Sequence, residues 1–279
     1  MDSLADVDRA LAAAPGVASA WIGPVGGPPA YARLAAATHY AASTMKVGVL
    51  VALHRAAAAG LLDLDAPVTV HNRHESAAPG AEPYGNDPAE DSDTATWALL
   101  GGTSTLRALA RQMIVRSGNL ATNLCLGAVG LPAAQEVWRL AGATHSVTAR
   151  GIEDDAARVA GVSNLVTAGD LAALFGAVVA GDVVPAGARA EVLALLEANE
   201  HRDDLVAGLP AGTRVAHKNG WITGVRHGAG VVFPEDAPPY TVVVCTSTAL
   251  PDEAACALVA GVSAAAWAVR ARAGAPGAR

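Results

Sequence analysis

Apolar residues recur at helical spacing in residues 3 to 13 (Leu4, Val7, Leu11), which predicts a short amphipathic helix. The stretches "VASAWIG" and "AYARLAAA" then have the pattern of two short strands of a hairpin around the Gly/Pro turn "PVGGPP". From 43 to 59 the chain is helical in pattern and nearly all apolar, which predicts a helix buried on most of its surface. Residues 71 to 96 are polar and rich in Pro, Gly and Asp, a long excursion or flap. Helical patterns fill 104 to 142 and 167 to 198. "TRVAHKNG", "HGAGVVF" and "YTVVVCTST" are strand-like, a helix closes the chain from about 251 to 271, and the tail "AGAPGAR" is expected to fray. Strands at both ends with helices between predict an α/β (α+β) fold: an antiparallel sheet built from both termini, with flanking helices and an inserted helical lobe. The expected division is 1–66 with 205–279 as the sheet domain and 67–204 as an all-helical domain, the site lying between them.

Composition narrows the function. At 279 residues and 52% hydrophobic content the chain can bury a large core. Its net charge is −7 and its arginines are scattered, which argues against a nucleic-acid partner. Cys125, Cys245 and Cys256 are odd in number, lie in apolar runs and have no C-x-x-C spacing, so they are expected as buried core thiols. The start, "MDSLADVDRALAAAPG", has neither a basic n-region nor an apolar h-region, and no segment is apolar over the roughly eighteen residues of a membrane span. A soluble, cytoplasmic protein with no membrane partner is the expectation; oligomeric state is not readable.

Candidate chemistry begins with lysine. The chain holds seventeen arginines but only two lysines, Lys46 in "STMK" and Lys218 in "HKNG". Ser43 and Lys46 are three apart on one helical face, so they can touch. A serine hydroxyl needs a base, and a lysine becomes one when burial and neighbouring positive charge lower its pKa. Lys46 also sits in an otherwise apolar helix, where an uncompensated ammonium costs several kcal/mol. "SGNLATN" adds Ser117, Asn119 and Asn123 at the start of a helical pattern, Ser117 being equally a candidate helix cap. "HKNG" puts Lys218 on a strand just before Gly220, where a ligand can approach the backbone closely, though a bulge has the same look.

Taken in order, S-x-x-K, S-x-N and K-x-G make the chain resemble the penicillin-recognising serine enzymes, class A β-lactamases and their relatives, over essentially its whole length. The resemblance implies a serine hydrolase of amide or ester bonds with Ser43 as acylated nucleophile and Lys46 as its activator. It implies Ser117 as proton relay to the leaving nitrogen, Asn119 as holder of a substrate amide, and Lys218 as positive charge near Ser117 and the substrate carboxylate. The oxyanion hole would be the backbone N–H groups of Ser43 and Trp221, with Arg226 as a carboxylate clamp.

Three departures stand out. Gly118 replaces the middle Asp of S-D-N, and Asn219 replaces the Thr of K-T-G. The loop that should supply a deacylating glutamate, "ARGIEDDAARVAGVSN", has altered spacing: Glu153 is the choice, beside Asp154 and Asp155, and Asn164 stands where the aspartate partner of Arg150 is expected. A solvated acidic loop face is the competing reading. His71, His74 and Glu75 could hold a metal but fit a polar, solvent-facing flap, while His217 and His227 fit packing roles; no metal or cofactor is implied. The partner is a small amide, lactam or ester. β-Lactam hydrolysis, a cytoplasmic amidase, esterase or transacylase acting on a metabolite, and a silent binding protein remain as alternatives.

Overall fold

The computed structural model describes residue 1 and residues 3–275; residues 276–279, most of the tail expected to fray, lie outside the described residues. Helix α1 (Leu4–Ala13) starts at Ser3, whose hydroxyl accepts the Asp6 amide, and it buries Val7 and Leu11 as its spacing predicts. Strands β1 (Gly16–Pro24), β2 (Tyr31–Arg33) and β3 (His39–Tyr40) follow. β2 is shorter than the pattern predicts because Leu34 takes a left-handed φ of 44° and turns the chain away. The helix expected from 43 divides into a 3-10 turn (Ala42–Met45) and α2 (Lys46–Ala58). Residues three apart eclipse in a 3-10 turn, so Ser43 and Lys46 still share a side.

The insertion contains β4 (Pro67–Thr69), α3 (Thr94–Trp97), β5 (Thr103–Thr105), α4 (Leu106–Val115), α5 (Asn119–Val129) and α6 (Leu131–Leu140). It continues through α7 (Asp155–Val159), β6 (Leu165–Val166), α8 (Ala168–Ala180) and α9 (Arg189–Glu197). It is helical but not purely so, since β4 pairs with β5 and β6 pairs with β3. The chain ends with β7 (Arg214–Ile222), β8 (Val225–Phe233), β9 (Tyr240–Thr248), α10 (Asp252–Ala268) and α11 (Arg270–Ala273).

The main sheet is antiparallel in the order β2-β1-β9-β8-β7, so the amino-terminal hairpin joins the carboxy-terminal meander through β1 and β9, in register from Gly16↔Thr248 to Pro24↔Tyr240. Strand periodicity gives the sheet two apolar faces. Ala20 and Ile22 of β1 with Val242 and Val244 of β9 form one core under α1 and α10. Trp21, Val243 and Cys245 face the other way, into a core continuous with α8 and the helical lobe. All three cysteines are buried and free. Among the described residues no helix is long and apolar enough to cross a membrane. Strand β7 is the sheet edge beside the 3-10 turn, which brings Lys218 toward Lys46 from across the sequence.

Candidate active site

A cleft of about 930 Å³ runs between the sheet edge and the helical lobe, and Ser43, Ser117, Asn119, Glu153, Trp221 and Arg226 all line it. Lys46, Lys218 and Asn219 stand behind them, fully buried. Every site residue expected from the sequence thus gathers at one place.

At its centre is the Ser117 hydroxyl, which accepts from Lys218 Nζ at 3.0 Å and lies 3.4 Å from Lys46 Nζ. Lys46 donates also to the Ser117 carbonyl at 2.6 Å and to Asn119 Oδ1 at 2.9 Å. Its ammonium is costly in this apolar wall, and burial lowers its pKa to about 7 even though Asp91, Glu153 and Asp93 pull the other way. Lys218 is pushed well below its ordinary range by burial and then by the charge on Lys46. Its ammonium bonds the Asn219 carbonyl at 3.0 Å.

Gly220 fits because nothing larger does: a Cβ there would sit 2.9 Å from the Ser43 amide nitrogen and 3.1 Å from that of Thr44. The close approach of β7 to the backbone carrying Ser43 depends on that missing side chain. Of the four non-glycine residues with positive φ among the described residues, three are at this site: Ala42 at 44°, Ser117 at 59° and Glu153 at 66°.

Ser117 does not cap α5, the competing role read from the sequence. The N-terminus of α5 is capped from a distance by Asp91, whose two carboxylate oxygens accept the amides of Asn119 at 3.0 Å and Leu120 at 2.9 Å. Asp93 fills the space left by Gly118: a Cβ on Gly118 would lie 2.8 Å from both Cβ and Oδ2 of Asp93. Asp93 is buried and bonds the Thr96 hydroxyl and the Ala95 amide. Both carboxylates come from the segment read as a flap.

Glu153 reaches the centre through Asn119. Its Oε1 accepts from Asn119 Nδ2 at 2.8 Å, and its Oε2 accepts from the Asp87 amide at 2.6 Å. Burial raises its pKa against those hydrogen bonds. Asn123, one turn beyond Asn119, holds the loop by its amide: Oδ1 accepts from the Ile152 N–H and Nδ2 donates to the Ile152 carbonyl, each at 2.8 Å. At the neck of the loop Asn164 accepts the Arg150 amide at 3.0 Å and donates to the Arg150 carbonyl at 2.9 Å. It binds the backbone of Arg150 and leaves the buried guanidinium to neutral partners, the Tyr40 hydroxyl and the Gly151 carbonyl.

The far end of the cleft differs from the sequence expectation. Arg226 lines it, but its guanidinium is ion-paired with Asp203 at 2.7 Å, Asp204 at 3.0 Å and Asp252 at 3.4 Å, so it is not a free clamp. Asn219 turns its amide inward, donating to Asp204 at 3.1 Å. Trp221 forms an aromatic wall with His201, ring centroids 4.7 Å apart, and faces Arg226 at 5.4 Å. His201 was not singled out in the sequence, where "ANEHRDD" has only the look of a polar loop. His227 is buried with Nε2 2.8 Å from the Tyr40 carbonyl, and His217 is buried beside Asn199; both serve packing.

Comparison with known proteins bears on the fold and the family. A search of curated proteins returned no match. Among solved structures, the chain is similar to a β-lactamase from Sphaerobacter thermophilus DSM 20745, with 24% identity, TM-score 0.79, and 95% and 96% of the two chains covered. It is similar to a β-lactamase from Xanthomonas campestris pv. campestris str. ATCC 33913, with 19% identity, TM-score 0.81 and 96% of each chain covered. A third likeness, at 21% identity and TM-score 0.79 over 95% and 94% of the chains, is to a point mutant of PBP-A as an acyl-enzyme complex with penicillin G. These likenesses carry the β-lactamase/transpeptidase-like fold. A family model described as the β-lactamase enzyme family matches residues 4–269, and the chain belongs to that family.

Proposed function

We propose that the protein is a serine hydrolase that opens a β-lactam or a related cyclic amide through an acyl-enzyme on Ser43. The observation that carries this reading is the Ser117 hydroxyl held between two buried lysines, one of them a single turn from Ser43. In its neutral form Lys46 takes the Ser43 proton as the hydroxyl attacks the carbonyl, and a pKa near 7 suits that task at neutral pH. The new oxyanion is met by the backbone N–H groups of Ser43 and Trp221, on the 3-10 turn and the edge strand that Gly220 lets approach. As the ring C–N bond breaks, Ser117 passes a proton to the leaving nitrogen and is resupplied from the lysines on either side. Asn119 orients a substrate amide and links Lys46 to Glu153. Glu153 then takes a proton from the water that attacks the acyl ester, and as the ester C–O bond breaks that proton goes to Ser43 Oγ, leaving Glu153 ionised, Ser43 free and the ring-opened acid released. The acyl-enzyme complex of a PBP-A point mutant with penicillin G, in a chain of similar fold, supports the acyl-enzyme step of this reading.

Intact-protein mass spectrometry after mixing with a penicillin and a cephalosporin tests it. The expected result is an adduct of the whole lactam mass that is missing from Ser43→Ala and decays as product forms. No adduct with any lactam would remove β-lactams as substrates, and an ester panel would then test the alternative of an amidase, esterase or transacylase.

A further inference from the structure

The substrate carboxylate of a β-lactam needs a cation or uncommitted donors at the Trp221–Arg226 end of the cleft, and the side chains of Arg226, Asn219, Thr246 and Lys218 there are already engaged. Arg226 is only 4% exposed in its side chain and shares its N–H groups among three aspartates. The Asn219 amide donates to Asp204 and to the His201 carbonyl. The Thr246 hydroxyl is used by the backbone of Arg226, accepting its amide and donating to its carbonyl. Lys218 is shut behind Ser117 and the indole of Trp221. Burial raises the pKa of Asp204, but the exposed carboxylates of Asp203 and Asp252 by themselves outnumber the one guanidinium and leave this end of the cleft with an excess of negative charge. Asp252, 67% exposed in its side chain, brings part of that charge to the cleft wall itself. Like charges across a binding surface disfavour a partner strongly, whereas a neutral group has the Trp221 face to rest on.

We infer that the acyl donor taken by this cleft carries no carboxylate at the Trp221–Arg226 end: it is a neutral lactam, amide or ester there, and Asp252 sets the preference. This rests on the acyl-enzyme reading, and it deepens that reading by naming the substrate class.

Two readouts separate the two ideas. The first is the rate of Ser43 adduct formation with benzylpenicillin and with its methyl ester at low salt, each divided by its rate with hydroxylamine to remove intrinsic reactivity. A mass gain of the whole lactam distinguishes ring opening from attack on the methyl ester. The second is the affinity of Ser43→Ala for the same pair by calorimetry, which needs no chemistry. The neutral ester is expected to lead in both by about tenfold, the lead shrinking in roughly 0.5 M salt as exposed charges are screened. Asp252→Asn should narrow it several-fold by speeding the acid, and adding Asp203→Asn should narrow it further. Equal or better binding and acylation by the free acid, slower acylation of the acid by Asp252→Asn, or binding of neither compound would each overturn the inference. Ester binding without any adduct would overturn the acyl-enzyme reading and leave the preference standing.

Discussion

The two lysines of the chain meet at one hydroxyl yet occupy different electrical settings. Both are fully buried, and both lie within 3.4 Å of Ser117 Oγ. Lys46 looks toward Asp91, Glu153 and Asp93, whose charge keeps its pKa at about 7 against the cost of burial. Lys218 is lowered by burial and then by the charge on Lys46, with Asp204 as a single counterweight and Arg226 adding to the repulsion. Burial alone discharges an amine; the carboxylates nearby decide whether it still titrates where chemistry happens. The two amines therefore differ in the sign of what surrounds them, carboxylates around Lys46 and chiefly cations around Lys218.

Replacing Lys46 by methionine should have the largest effect, slowing acylation about a thousandfold, as expected for loss of a general base, with the thermal midpoint kept or raised. Adduct formation followed by mass spectrometry checks it. Next comes Glu153→Gln, expected to lengthen the adduct lifetime about a hundredfold while acylation changes only a few-fold. Lys218→Met should slow acylation about tenfold to a hundredfold but leave the acylation–pH midpoint near that set by Lys46. A loss equal to that of Lys46→Met would erase the distinction between the two. The smallest effect, and the sharpest on the comparison, belongs to Asp91→Asn. Removing an anion that holds the Lys46 pKa up should move the rise of acylation with pH to a lower pH. Weakening the cap of α5 should also cost about 1 kcal/mol in denaturant unfolding.

The same pKa has a thermodynamic side. Lys46 holds its proton less tightly when folded than its ordinary 10.5, so between about pH 7 and that value the unfolded chain binds more protons. The contribution of Lys46 to stability therefore rises with pH across that window and is flat below it.

How far the sequence carried these conclusions depended on distance along the chain. The strand "YTVVVCTST" has the bounds observed for β9, because alternate burial on two apolar faces imposes a local period. S-x-x-K, S-x-N and K-x-G were legible for a similar reason, since each is short and the lysines are rare. Asp91 as the cap of α5 and Asp93 as the filler beside Gly118 were not, because both contacts cross more than twenty residues and nothing in a Pro- and Asp-rich stretch marks which carboxylate turns inward. "HRDDL" hid the neutralisation of Arg226 in the same way: adjacent aspartates suggest a solvated face, yet Asp204 is wholly buried against the guanidinium. The 3-10 turn at Ser43 escaped because an apolar run says little about which hydrogen-bonding period opens a helix.

Left-handed backbone at Ala42, Ser117 and Glu153 costs of order 1–3 kcal/mol at each residue, and it is concentrated around the reacting groups. Random variants screened only for heat resistance should therefore collect glycine at 42, and glycine or asparagine at 117 and 153, since these residues accept that conformation with less strain. At 117 and 153 such survivors would lose the hydroxyl or the carboxylate to which the proposed mechanism gives proton transfer. Selection for durability and selection for turnover pull this sequence in opposite directions at the same few positions.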